Sequence, residues 1–61
     1  MMINLSADVK VVKEDEVFMT DAYRVTPYNN MIHFYMDGVI VSSYNLNDIE
    51  LIAEDGMIII R

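Results

Sequence analysis

The chain alternates short apolar runs with Asp-Gly and acidic breaks, a pattern that predicts strands joined by tight turns. The clearest hairpin joins residues 31–36 to residues 39–44 across Asp37-Gly38. Glycine accepts the positive φ that a type I′ turn demands, so Asp-Gly between apolar runs is a strong hairpin signal. Counting outward from that turn pairs Met36 with Val39, Phe34 with Val41 and Ile32 with Ser43, on a face assigned to the core. The opposite face takes Tyr35 with Ile40, His33 with Ser42 and Met31 with Tyr44. A second hairpin, residues 50–54 and 57–61 around Asp55-Gly56, sets Glu54 beside Met57, Ile52 beside Ile59 and Glu50 beside Arg61. Leu51, Ala53, Ile58 and Ile60 then share its other, core face.

Nearer the N-terminus, residues 9–13 and 16–26 read as strands around a charged Glu14-Asp15 turn. This loop places Lys13 beside Glu16, Val12 beside Val17 and Val11 beside Phe18. Pro27-Tyr28-Asn29-Asn30 ends the long strand, because proline cannot donate to a ladder and asparagine tolerates turn backbones. Residues 1–7 are expected to form a short extra strand or a loose tail. Residues 45–52 are expected to open with a single helical turn, capped by Asn45 with Asp48 three residues later. Leu46 and Ile49 would then point the same way.

The expectation is therefore one small all-β domain spanning residues 1–61. Its architecture is an antiparallel meander or small barrel of about five strands with one short helical turn. That order of elements resembles SH3-like and Sm-like small barrels. The resemblance covers most of the chain but rests on no specific motif, so it implies a fold rather than a function. Composition agrees, since Val, Ile, Thr, Tyr and Phe fill 23 of 61 positions against three Ala and three Leu.

So short a domain buries only about 60% of the surface that its unfolded chain exposes, so a lone monomer is marginal. Small folds meet that deficit with disulfides, a metal or a partner chain. There is no cysteine and only one histidine, which points away from disulfides, thiolate zinc and other transition-metal staples. What remains is an unusually well packed core or an oligomer, and a homo-oligomer is the expectation.

The formal charge is −6, and the four basic residues Lys10, Lys13, Arg24 and Arg61 form no run. This disfavours nucleic-acid binding by a monomer and suits a basic protein partner. The apolar runs fall far short of the ~20 residues of a spanning helix, and the N-terminus lacks the basic and apolar regions of a signal peptide. No membrane association and a cytoplasmic location are the expectation.

Catalytic chemistry finds little purchase. His33 could meet Ser42, but serine catalysis also needs an orienting third group and an oxyanion hole. Asp37 lies too far along the strand to orient the ring. Glu14-Asp15-Glu16 and Glu54-Asp55 sit at turns and lack the alternating oxygen spacing of a calcium loop. Gly38 and Gly56 each belong to a hairpin turn, which leaves no phosphate-cradling loop. Tyr35 and Tyr44 could stack nucleobases, yet their hairpin contains no Lys or Arg. No enzymatic activity, metal or cofactor is expected.

The functional clue is surplus hydrophobicity, because antiparallel sheets normally leave one face polar. Met31, His33, Tyr35, Ile40 and Tyr44 on the central hairpin, with Ile52 and Ile59 on the last one, form the expected protein interface. The leading reading is a non-enzymatic, acidic, self-associating protein-binding module. Its size and charge suit an accessory or inhibitory factor of a phage or mobile element. The alternative is an Sm-like or SH3-like nucleic-acid-associated regulator whose oligomer gathers Lys10, Lys13 and Arg24.

Overall fold

A computed structural model describes residues 1–61 and contains six strands and no helix: β1 (Met2–Lys13), β2 (Glu16–Thr26), β3 (Met31–Met36), β4 (Val39–Asn45), β5 (Leu51–Glu54) and β6 (Met57–Ile60). The count is six rather than about five because each of three hairpins supplies two strands. They form one sheet in the order β4-β3-β2-β1-β6-β5. Every pairing is antiparallel except β1 with β6, which is parallel. The sheet is thus mixed: β1 to β4 form an antiparallel meander, and the β5–β6 hairpin joins it through the parallel pair. It is not closed, since β4 and β5 each have a single hydrogen-bonded neighbour.

Two of the three hairpins fold in the expected register. Val11 opposes Phe18, Val12 opposes Val17 and Lys13 opposes Glu16. Ile52 opposes Ile59 and Glu54 opposes Met57. Glu50 and Arg61 exchange backbone hydrogen bonds of 2.7 and 3.0 Å just beyond the last pair. At both Asp-Gly turns the two residues have positive φ (53° and 79°, then 48° and 73°), as a type I′ turn requires.

The central hairpin departs from its expected register. Met36 opposes Val39 and Tyr35 opposes Ile40, but Phe34 opposes Ser42 rather than Val41. Val41 is the extra residue of a β-bulge, and every later pair shifts by one. His33 therefore meets Ser43, and Ile32 meets Tyr44. The shift turns Tyr44 from the outer face to the core. There its ring lies edge-on to Phe34 at 6.2 Å, a contact worth about 0.5–1.5 kcal/mol beyond the area it buries.

The N-terminal residues are neither a separate strand nor a tail. Met2, Ile3 and Asn4 pair with Arg24, Tyr23 and Ala22, so β1 runs almost unbroken from residue 2. The ladder jumps between Asn4 and Val9, where residues 5–8 of β1 face only Asp21 of β2. This irregularity makes a corner. On β2, Phe18 and Thr20 face inward before it and Tyr23 faces inward after it, an odd step that an unbroken strand cannot take. Thr20 is fully buried at the corner. Its Oγ1 lies 2.8 Å from the Ala22 carbonyl and 2.7 Å from the Tyr35 carbonyl, both acceptors for its hydroxyl.

The sheet curls through this corner. Laid flat, its two edge strands would stand about 24 Å apart, at about 4.8 Å per strand. The link between them is only residues 46–50, which reaches no more than about 20 Å even when extended. It is not extended. Asp48 N–H donates to the Asn45 carbonyl (3.0 Å) and Asn47 N–H donates to Asn45 Oδ1 (2.9 Å). Asn45 thus organises a side-chain-supported turn in place of the expected helical turn. Leu46 and Ile49 nevertheless both pack on the core, as the helical reading required of them.

Curling brings together Val11, Ile32, Phe34 and Ile60, with Phe18, Tyr23, Tyr44, Leu46, Ile49 and Ile58 packed around them. Only seven of the 61 residues are buried, so the core is small even for this length. Replacing Thr20 by Val keeps the shape and removes the hydroxyl from the two carbonyls at the corner. T20V should lower the urea-unfolding free energy by about 1–3 kcal/mol, read as a reduced midpoint with unchanged slope.

Candidate functional site

Strand alternation gives the curled sheet an inner and an outer face, and each carries an apolar surface. On the outer face the register aligns Val17 of β2, Val12 of β1, Ile59 of β6 and Ile52 of β5 in one row across four strands. The next row in the same direction is Met19, Lys10, Met57 and Glu54. Val17 is 60% exposed and Met19 43%. Glu50 and Arg61 lie on this same face beyond Ile52 and Ile59. The rim therefore carries both signs of charge.

On the inner face, a cleft of about 450 Å³ opens where the sheet fails to close. Tyr23 and Val25 of β2, Ile32 and Phe34 of β3 and Leu46 form one wall, with Leu51 and Ala53 of β5 and Ile58 of β6 facing them. All eight side chains are apolar. β5 and β3 lie four places apart in the sheet, so only the curl makes them opposite walls.

The expected interface residues divide between these surfaces and the core. Ile52 and Ile59 lie in the outer row. Met31, His33 and Ile40 lie on the outer face at the other end of the sheet, where Ile40 is exposed and the other two are half-buried. Tyr35 is buried and Tyr44 points inward. The seven do not form one patch. Val12, Val17, Met19 and Met57 were missed, although the pairs Val12–Val17 and Ile52–Ile59 were both legible. The missing fact was that β1 and β6 are neighbours.

The residues considered for chemistry are also dispersed. His33 Nδ1 lies 2.7 Å from Ser43 Oγ on the outer face, outside the apolar cleft. Lys10 and Lys13 point to opposite faces of β1, and Arg24 sits across from His33 on the far half of the sheet. The single chain does not bring Lys10, Lys13 and Arg24 together. No three His, Cys, Asp or Glu side chains are grouped as a metal site would need. No helix is long and apolar enough to cross a membrane.

A smaller polar hollow of about 240 Å³ lies between the β1–β2 turn and β4, lined by Lys13, Glu14, Asp15, Glu16 and Tyr44. Lys13 Nζ sits 5.8 Å from the centre of the Tyr44 ring and 4.0 Å from Glu14 Oε1. The cation over the ring favours the inward rotamer of Tyr44. The Tyr44 hydroxyl has no hydrogen-bond partner in the chain, although the oxygen is shielded from solvent. A buried unpaired hydroxyl costs about 1–3 kcal/mol, whereas the ring contacts do not need it. Tyr44→Phe should therefore stabilise the protein by about 1 kcal/mol, or roughly 4–8 °C in thermal denaturation.

No protein-family model, no curated protein and no solved structure matches this chain, so its functional reading rests on these surfaces.

Proposed function

We propose that this chain is a non-enzymatic, acidic protein-binding module that works as a self-associating β domain. The observation that carries this reading is the unbroken outer row Val17–Val12–Ile59–Ile52, extended by Met19 and Met57. These apolar side chains cross four strands and none belongs to the core cluster; Val17 is exposed and Val12, Ile52 and Ile59 are half-buried. Contiguous surface of this kind marks contact sites on soluble proteins. Methionine is among the residue types enriched at interfaces.

A second copy is the favoured occupant of that row. A standard interface takes about 800 Å² from each partner, about a fifth of this chain's 4223 Å². Seven buried residues leave a stability deficit that an oligomer would offset. Net charge opposes association of identical acidic chains, so the composition of the rim matters. Lys10 and Arg61 with Glu50 and Glu54 let two copies meet with unlike charges opposed. An assembled particle of this kind, strongly acidic on its remaining surface, suits an accessory or inhibitory role toward a basic protein of a phage or mobile element.

At tens of micromolar, sedimentation equilibrium should give at least twice the 7.1 kDa chain mass. Val17→Asp combined with Met19→Asp should return it to a single chain with unchanged far-ultraviolet circular dichroism, since both residues are exposed. A wild-type particle that stays monomeric at that concentration would sink the proposal. A double variant that keeps its oligomeric mass would move the interface off the outer row.

A further inference from the structure

The gap between the sheet edges has a second set of unsatisfied groups besides its apolar walls. Glu50 and Arg61 exchange both of their backbone hydrogen bonds, which sets the phase of the β5–β6 ladder. In an antiparallel pair, bonded and non-bonded positions alternate. Ile52 is therefore turned toward β6, while the N–H and C=O groups of Leu51 and Ala53 point away from it, along the free edge of β5. The side chains of the same two residues line the apolar cleft. Two donors, two acceptors and an apolar trough thus coincide on one short edge.

The neighbouring positions are acidic. Glu50 and Glu54 flank this edge on the outer face, and neither forms an ion pair, the one salt bridge of the chain being Lys13 with Glu14. Asp48 and Asp55 lie just beyond at either end. From these observations we infer that β5 accepts an added strand from a different protein: an extended basic segment of the pattern Lys/Arg–apolar–any–apolar–Lys/Arg, its middle residue facing outward.

Register dictates that pattern. Residues of the added strand opposite Leu51 and Ala53 point into the cleft and must be apolar. The residue between them lies on the outer face beside Ile52. Those opposite Glu50 and Glu54 lie on the outer face too and meet two unpaired carboxylates. Charge decides against a second copy here. The other free edges of this chain are β4 and the N-terminal half of β1 beyond its pairing with β6. Their sequences, VIVSSYN and residues 2–8 (MINLSAD), contain no Lys or Arg. An edge of one copy would thus set no cation against Glu50 or Glu54. The edge lies apart from Val17 and Met19 at the far end of the outer row, although Ile52, Glu50 and Glu54 border both surfaces, so protection of Leu51 and Ala53 reads the edge directly.

The test uses the full chain and a labelled nonapeptide with a central Lys-Ile-Thr-Val-Lys, where Thr takes the outward middle position, against a scrambled peptide of equal composition. Fluorescence polarisation at low salt should show binding of the ordered peptide at least tenfold tighter than the scrambled one. Amide exchange should slow at Leu51 and Ala53. Ala53→Pro removes an edge N–H that β6 does not use and should abolish binding while the oligomeric mass stays that of the wild type. Should that variant not fold, Glu50→Arg with Glu54→Arg supplies an independent test and should shift preference at least tenfold toward a peptide with Glu in place of both Lys. The inference is overturned by absence of binding at millimolar peptide, by binding that survives a folded Ala53→Pro, or by binding that the charge reversal leaves unaltered. It is equally overturned if protection falls on β4, or if Leu51 and Ala53 become protected on concentrating the chain without peptide, which would make a second copy the occupant.

Discussion

The shape of this domain follows from the shortness of one connection. β4 and β5 are the opposite edges of a six-stranded sheet, and residues 46–50 are all that joins them. A flat sheet would leave its edges further apart than that link can reach. The sheet must therefore bend, and it bends where residues 5–8 of β1 crowd against the single residue Asp21 of β2. Thr20 secures the bend by offering its hydroxyl to carbonyls of both β2 and β3. Further bonds tie the link back to the β2–β3 turn. Leu46 N–H donates to the Asn30 carbonyl, and Asn30 Nδ2 donates to Asn47 Oδ1, both at 2.8 Å.

That bend both makes the core and limits it. It brings Phe34 of β3 and Ile60 of β6 into one cluster, though these strands lie three places apart in the sheet. It does not bring the two edges into hydrogen-bonding contact, so the interior stays open as a cleft. A chain with 54% hydrophobic residues, only six of them buried, must expose apolar surface somewhere. Part of that exposure is ordered, with Val17 and Met19 on the outer face and Val25 and Leu51 along the cleft, while Met2, Ile3, Tyr28, Val39, Ile40 and Val41 are exposed elsewhere. The proposed contact reading rests on those two ordered sets, since apolar residues scattered singly are found on every protein surface.

The hairpins were legible because their information is local. Asp37-Gly38 and Asp55-Gly56 dictate two-residue turns, and Lys13 beside Glu16 follows from the shortest loop at Glu14-Asp15. Local information also failed in two places. The bulge at Val41 answers to Tyr44, whose ring gains Phe34 and Lys13 by turning inward, and neither contact lies near it in the sequence. The residues after Asn45 carry a helix-capping pattern, but Asn45 serves a turn instead because the link has no length to spare for a helix. The parallel pairing of β1 with β6 was hidden for a different reason. Both segments are plain strands, and nothing in Val11-Val12 or Ile58-Ile59 names its neighbour. Without that pairing, Val12–Val17 and Ile52–Ile59 remain two separate pairs rather than one row. The eight-residue cleft was hidden with it, since its walls face each other only after the sheet curls.

β5 takes part in both surfaces, and this has an energetic consequence. Its four residues alternate between them, Leu51 and Ala53 toward the cleft and Ile52 and Glu54 toward the outer row. With four residues and one bonded neighbour, β5 is an edge strand held by four register pairs, against six for β4 at the other edge. Local opening costs least at such an edge. Contacts made on either face add to the same few residues and oppose the same opening. If both proposed surfaces are used, an occupant of the cleft would meet a better ordered β5 once the outer row is covered, and the reverse would hold to the same degree because coupling between two binding events is reciprocal. On the proposed reading, β5 is thus the strand through which self-association and partner binding would sense each other.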